Sequence, residues 1–439
     1  MLCFPNAKQL LRLTALMMGF CLTGCSMGVN VDTMLTPPKL STQQEQIYQA
    51  LVDTTGSDIR LKYPKQGSYL SAFIIEDIDG DELEEAIVFY EKNSLATTDL
   101  RINILDCIDN EWVSICDRSA EGSEIEKVVI SPLGSNDRMN IIVGYSTSNQ
   151  SEKYLSIYTY SEEYLNETFT HSYASFDVAD SGSGNANPDL ILLGAASSVS
   201  AYAAVYRLAE DGIYHEYRYD FRDNYTDYSQ IIYGTMPDGR VALYIDALTG
   251  TSNVQTEVVS MEDSQLVNLL ERCGRKAEDT VRRVGLGCLD VDGDSVPEIP
   301  VQSVFLGYES AAESEQMWQT RWMMMENERI YTEHYSYYST SRGYCFLFPE
   351  EWQNKVTVRY DTVSGEMQFV AYSGEWTDDL PVLMRLYVAY DESDRNEHLD
   401  DGFRLMHTKG TASYLVRAEQ NEELSVTFGR LLLCFRFFN

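Results

Sequence analysis

The chain has 439 residues, 44% of them hydrophobic, which suits two or three domains or one long repeat array with an appendage and excludes a disordered chain. Its 68 Asp and Glu outnumber 33 Lys and Arg, giving a formal net charge of −35. Such a surface repels nucleic acid and anionic lipid headgroups and attracts divalent cations.

At the N-terminus, Lys8 and Arg12 precede a short apolar run from Leu13 to Leu22, followed by Leu22-Thr23-Gly24-Cys25. The run is too short to cross about 30 Å of hydrocarbon as a helix and reads as a targeting segment. The Leu-Thr-Gly-Cys order resembles the lipobox of bacterial lipoproteins, which implies diacylation of Cys25 and a mature chain tethered outside a bacterial cell membrane. Two acyl chains anchor stably where one is marginal. Residues 1–24 are then signal peptide and 25–40 a Pro37-Pro38-bearing tether.

Over 41–67, Thr42-Gln-Gln-Glu45 has capping-box spacing and Ile47 and Leu51 make an apolar stripe, predicting a short helix and a lead-in. From residue 68 to 332 the chain is a succession of β-type runs broken by Asp, Gly, Asn and Ser. Loop glycines set a period: Gly134 follows Gly80 by 54 residues, and Gly293 follows Gly239 by 54, with an Asp- and Gly-rich loop from Asp177 to Asp189 between. Five units at about 50-residue spacing match four-stranded propeller blades. The fold expected is mainly β, a β-propeller-like array of about five blades. A helix is expected over Asp263 to Cys273, stopped by Gly274. Residues 333–439, with Phe348-Pro-Glu-Glu-Trp352, read as a small β-rich or α+β module.

Two loops carry most of the chemical information. Asp77-Ile-Asp79-Gly80-Asp81-Glu82-Leu83-Glu84-Glu85 recurs 213 residues later as Asp290-Val-Asp292-Gly293-Asp294-Ser295-Val296-Pro297-Glu298. Carboxylates this close repel one another unless hydrated or neutralised by a cation. Oxygen donors at positions 1, 3 and 5, a carbonyl at 7 and a carboxylate beyond suit calcium. The candidate ligands are Asp77, Asp79, Asp81, the Leu83 carbonyl and Glu85, then Asp290, Asp292, Asp294, the Val296 carbonyl and Glu298. An EF-hand is excluded, because glycine stands at position 4, Val88 and Val301 stand at position 12, and the flanks are β-type. The loops resemble the FG-GAP or VCBS-type repeat of integrin-like β-propellers, in which an Asp-x-Asp-Gly-Asp loop joins two strands of a blade. That resemblance implies structural calcium at the blade peripheries and a ligand surface elsewhere. Asp177, Asp180 and Asp189 are expected to form a third, irregular calcium loop.

No catalytic motif stands out among the five histidines (His171, His215, His334, His398 and His407), and the chain has neither a nucleophile elbow nor a phosphate-cradling loop. Tyr154, Tyr158 and Tyr160, and Tyr214, Tyr217 and Tyr219, are expected to pack within blades rather than line a sugar platform. Cys107, Cys116, Cys273, Cys288, Cys345 and Cys434 lack metal or redox spacing and read as small buried hydrophobes, with disulfides left open. The expectation is a non-enzymatic, membrane-anchored, calcium-stabilised scaffold that binds a protein or glycan and no nucleic acid. The alternative is a cell-envelope polysaccharide-acting hydrolase.

Overall fold

The computed structural model describes residues 40–93, 98–134, 138–147, 150–182, 184, 186–197, 199–377 and 379–438. The signal segment, Cys25 and the tether lie outside the described residues. Helix α1 (Thr42–Thr55) is capped by Ser41, whose Oγ accepts from Gln44 N while Gln44 Oε1 accepts from Ser41 N, both at 3.1 Å. The box therefore sits one residue before the expected Thr42–Glu45 pair. Starting there gains a further backbone bond, Glu45 N to Ser41 O at 2.9 Å. Among the described residues no helix is long and apolar enough to cross a membrane.

Strands then follow in six antiparallel sheets. The first holds β1 (Ile59–Leu61), β2 (Phe73–Glu76), β3 (Glu85–Asn93), β4 (Thr98–Ile108) and β5 (Glu111–Ser119). The second is β6 (Glu124–Pro132), β7 (Met139–Thr147), β8 (Gln150–Ser161) and β9 (Tyr164–Tyr173). The third is β10 (Ser175–Ala179), β11 (Asp189–Gly194), β12 (Tyr202–Leu208) and β13 (Tyr214–Asp220). The fourth has β14 (Tyr228–Thr235), β15 (Val241–Thr249), β16 (Asn253–Glu262), β17 (Gln265–Asn268) and β18 (Arg282–Arg283). The fifth has β19 (Ile299–Val304), β20 (Trp318–Glu326), β21 (Arg329–Ser339), β22 (Tyr344–Leu347) and, from the far end of the chain, β28 (Phe435–Phe437). The sixth is β23 (Val356–Tyr360), β24 (Met367–Ala371), β25 (Val382–Ala389), β26 (Arg404–Lys409) and β27 (Ala412–Ala418).

Successive sheets share cores. Ile87, Phe89 and Ile102 of the first sheet meet Ile141, Val143 and Tyr158 of the second. Leu155 and Ile157 meet Leu190 and Leu192 of the third, whose Ile191 and Leu193 meet Leu243 and Ile245 of the fourth. Tyr244 and Val258 meet Ile299 and Met325 of the fifth, and Phe346 meets Phe369 and Leu386 of the sixth. An inner strand is buried on both faces, which is why β11 reads as an unbroken apolar run with every residue buried. At the ends the array is covered locally. Ile47 and Leu51 of α1 cover the outer face of the first sheet, through Ala86, Val88 and Tyr90. Helix α3 follows β25 (Glu392–Asp400), and its His398 stacks on Tyr387 and abuts Phe403 over the sixth sheet. Among the described residues no core cluster joins the sixth sheet to the first, so the sheets form an open succession and ring closure into a propeller is not observed.

Other expectations resolve locally. The helix expected over Asp263 to Cys273 is corrected: Asp263 and Ser264 adopt φ of 45° and 61° as a two-residue hairpin turn between β16 and β17, leaving only α2 (Leu269–Arg272) helical. The domain boundary expected at 332/333 falls inside β21. Tyr158 and Tyr160 are buried in the core, as expected, whereas Tyr154, Tyr214, Tyr217 and Tyr219 are half-buried; Trp322, Met324 and Met325 are buried as well. Cys107 pairs with Trp112 and Cys116 with Ile104, so the turn keeps the two cysteines apart, and all six described cysteines are free thiols.

Candidate metal centres

Both strong acidic loops close short hairpins. The first links β2 to β3, with Glu76 opposite Glu85. The second is closed by an antiparallel bridge between Leu289 and Glu298, just before β19. The remaining glycine loops hold the same place, between the first two strands of the second, third and fourth sheets.

Within the two loops the hydrogen bonds repeat position by position. Asp77 Oδ1 accepts from Gly80 N at 2.7 Å and Oδ2 from Glu82 N at 3.0 Å; Asp290 Oδ1 accepts from Gly293 N at 2.7 Å and Oδ2 from Ser295 N at 2.9 Å. Asp81 Oδ1 accepts from Leu83 N, and Asp294 Oδ1 from Val296 N. Glu85 Oε2 and Glu298 Oε2 reach back to Ile78 N and Val291 N, both at 2.8 Å. The glycines carry φ of 84° and 91°, turning the chain so that these carboxylates face inward.

One oxygen per carboxylate of Asp290, Asp292, Asp294 and Glu298 lies within 4.8 Å of the others, and the same holds for Asp77, Asp79 and Glu85. Asp81 stands outside the first cluster. The second loop is also better enclosed: Val296 is buried, whereas Leu83 is 54% exposed. Glu298 is fully buried and its Oε1 has no hydrogen-bond partner.

Burial raises one carboxyl in each of these sites. Burial, reinforced by Asp79 and Asp106, pushes the Glu85 carboxyl up to about 7. Burial, with Asp292 and Glu333 adding, pushes Glu298 up to about 8. The weaker loops solve the same problem with arginine. In the fourth sheet Arg240 lies 2.6 Å from Asp238 and 2.5 Å from Glu262, and its hydrogen bonds hold the Asp238 carboxyl below its ordinary value. The third calcium loop expected at Asp177, Asp180 and Asp189 is corrected in the same terms. Asp177 pairs with Lys127 at 2.8 Å, Asp189 lies 3.5 Å from Arg207 and accepts from Ser181, and Asp180 accepts from Gly182 N. Lys127, Arg207 and Arg240 thus answer carboxylates of the weaker loops, whereas among the described residues no Lys or Arg forms an ion pair with a clustered carboxylate of either strong loop; Arg436 instead donates to the Val291 and Asp292 carbonyls of the second, at 2.8 and 3.4 Å. The donor set and the orphaned Glu298 oxygen fit a calcium ion.

Sequence reading missed Glu333 and His334. Both come from β21, and His334 Nε2 lies 2.9 Å from Asp292 Oδ2. No local signal marks them, since 42 residues separate that pair and only the strand order unites them.

A second feature lies between the fifth and sixth sheets: a cleft of about 470 Å³ lined by Tyr338, Arg342, Tyr390, Lys409, Tyr414 and Phe438 among others. Tyr390 is 60% exposed, and Tyr414 Oη donates to the Arg342 carbonyl at 2.6 Å. No described carboxylate lines this cleft, in a chain of net charge −35.

No protein-family model matches the sequence, and neither does any curated protein. Among solved structures, the chain is similar to the Bacillus licheniformis rhamnogalacturonan lyase PL11 (9% identity, 71% of this chain and 74% of that chain, TM-score 0.30). It is similar to the exotype rhamnogalacturonan lyase YesX (10% identity, 72% of this chain and 61% of that chain, TM-score 0.28). A third is a mannose phosphorylase from Leishmania mexicana (7% identity, 66% of this chain and 92% of that chain, TM-score 0.23). All three are named as enzymes, and the expectation of a chain without enzymatic activity is corrected on that finding; likeness this slight assigns no reaction.

Proposed function

We propose that the protein is a lipid-anchored, extracytoplasmic, calcium-stabilised array of FG-GAP/VCBS-type propeller blades that acts on polysaccharide at the bacterial cell envelope. The observation that supports this reading is the hydrogen-bond frame shared by the two acidic loops, which gathers the buried Glu85 and Glu298 with partly exposed aspartates in clusters whose carboxylates pair with no described Lys or Arg. Calcium there staples the first strand pair of a blade, and it is structural. Asp77, Asp79, the Leu83 carbonyl and Glu85 hold one ion, with Asp81, outside that cluster, bracing the loop through Leu83 N; Asp290, Asp292, Asp294, the Val296 carbonyl and Glu298 hold the other.

The saccharide surface is the cleft between the fifth and sixth sheets. Its size suits a small ligand, the exposed Tyr390 offers a flat amphipathic face for a sugar ring, and Arg342 and Lys409 suit hydroxyl or carboxylate acceptors. The chain's own acidity keeps anionic ligands off the rest of the surface and leaves this cleft as the place they approach.

The test has two parts on the full-length chain in detergent. Calcium raises the melting temperature and chelator lowers it, and Asp79→Ala combined with Asp292→Ala removes the response; a wild-type protein indifferent to calcium sinks the metal assignment. A glycan array run beside a polysaccharide-degradation screen gives saccharide binding or turnover that Tyr390→Ala weakens about tenfold, since aromatic stacking contributes roughly 1 kcal/mol or more. Binding that survives Tyr390→Ala and Arg342→Ala unchanged removes the cleft from the proposal.

A further inference from the structure

The two acidic loops share one hydrogen-bond frame and differ in what stands beside them. At the first loop the clustered groups are all carboxylates from the loop and its closing strand. At the second, Asp292 belongs to two groups at once. It clusters with Asp290, Asp294 and Glu298 on one side, and with Glu333 and His334 on the other, each group drawn within 4.8 Å.

Neighbouring residues of a strand ordinarily face opposite sides of the sheet. Glu333 and His334 escape that rule through a bulge. Trp322 pairs with His334 and Met323 with Thr332, so Glu333 is the extra residue, and both side chains turn toward Asp292. Glu333 Oε2 is buried without a hydrogen-bond partner, as is Oε1 of the fully buried Glu298 across the shared aspartate. Two orphaned carboxylate oxygens flank Asp292, one in each group.

We infer that the second loop is a two-cation centre, in which Asp292 bridges a calcium ion and a neighbouring transition-metal cation of the zinc or manganese class held by Glu333 and His334. The inference rests on the calcium reading of the loop and adds a nitrogen-bearing site that the first loop lacks. Calcium takes oxygen donors, whereas imidazole nitrogen with two carboxylates suits a borderline divalent ion. Three protein ligands leave coordination positions for water or a bound ligand. Asp292 has an oxygen for each ion: Oδ1 lies within the loop frame, accepting from Asp294 N at 3.1 Å, and Oδ2 faces His334.

Cobalt(II) is the probe, because nitrogen ligation and coordination number show in its visible absorption. The full-length chain in detergent is held in 1 mM calcium and titrated with cobalt(II), with bound calcium and cobalt counted after gel filtration. Expected are two calcium ions and one cobalt per chain, and cobalt affinity falling tenfold or more in His334→Ala and in Glu333→Gln. His334→Gln keeps a hydrogen-bond donor for Asp292 yet loses the cobalt band, which separates ligation from mere orientation of the aspartate. Asp79→Ala removes one calcium and leaves cobalt untouched. Circular dichroism confirms that each variant is folded. Two calcium ions without stoichiometric cobalt overturn this inference and leave the calcium reading standing. Stoichiometric cobalt bound through His334 without calcium overturns the calcium reading and leaves the nitrogen site standing. Several weak cobalt equivalents indifferent to His334→Ala mean adventitious binding to an acidic surface and overturn the inference.

Discussion

Glu82 and Ser295, at the sixth position of the two strong loops, adopt φ of 71° and 76°. A side chain there crowds its own backbone by about 1–2 kcal/mol, and glycine relieves it at some cost in unfolded-state entropy. Ser295→Gly is therefore expected to stabilise the protein by about 0.5–1 kcal/mol, read as a rise in denaturation midpoint at fixed calcium. A drop in midpoint would mean that the hydroxyl matters more than the strain. That position 6 carries a side chain was visible in the sequence. Its left-handed conformation was not, because only the bonds from Glu82 N and Ser295 N to the first aspartate impose it.

At the scale of elements, each staple acts on a strand pair rather than on the fold. Extracellular calcium sites with dissociation constants of roughly 0.1–1 mM contribute about 0.4–1.4 kcal/mol each at about 1 mM calcium. The joint between the fourth and fifth sheets depends on something stronger. Arg282 of β18 and Asp246 of β15 are both fully buried and lie 2.5 Å apart, and Asp246 also accepts from Thr256 Oγ1 at 2.7 Å and from Cys288 N at 2.8 Å. Cys288 leads directly into the second acidic loop, so this network positions the loop against the preceding sheet. Arg282→Met strands a buried carboxylate and should cost about 3–5 kcal/mol, whereas Asp246→Asn with Arg282→Met together should cost clearly less. Equal losses from the single and the double variant would show that the pair is not coupled. The sequence marked residues 68 to 332 as a succession of β-type runs, which holds for β15 and β16, but it also offered a helix from Asp263 to Cys273. The tight Asp263-Ser264 turn, which pairs β17 with β16 as a hairpin, overrode that helical pattern.

For the molecule as a whole, the acidic loops predict how stability depends on pH. The folded, metal-free protein holds protons on Glu85 up to about pH 7 and on Glu298 up to about pH 8, where the unfolded chain has released them above about pH 4.5. The folded state then binds more protons across that window, so its stability falls as pH rises through it. In chelator, the melting temperature is expected to fall between pH 5 and pH 8. Calcium at about 1 mM should restore it at pH 8 and change little at pH 5, where protons compete for the same oxygens. Glu85→Gln with Glu298→Gln should flatten the chelator profile. An equally steep profile in that variant would assign the fall to general repulsion among the surplus carboxylates instead.

The sequence by itself determined the β-rich composition, the places of the five glycine loops between strand pairs and the burial of Tyr158 and Tyr160, because these follow from periodicity and turn chemistry within a few residues. It also marked the two loops whose carboxylates cluster, since their spacing is local. Only the tertiary structure decided which acidic loops lack a cation: Arg240 answers Asp238 from two residues away, but Lys127 and Arg207 reach Asp177 and Asp189 from other strands. Only it brought Glu333 and His334 to Asp292, through a bulge that no alternation pattern encodes. It also decided that the sheets succeed one another with helices over the end faces, because whether a terminal sheet meets a helix or another sheet depends on the summed twist of all the sheets between.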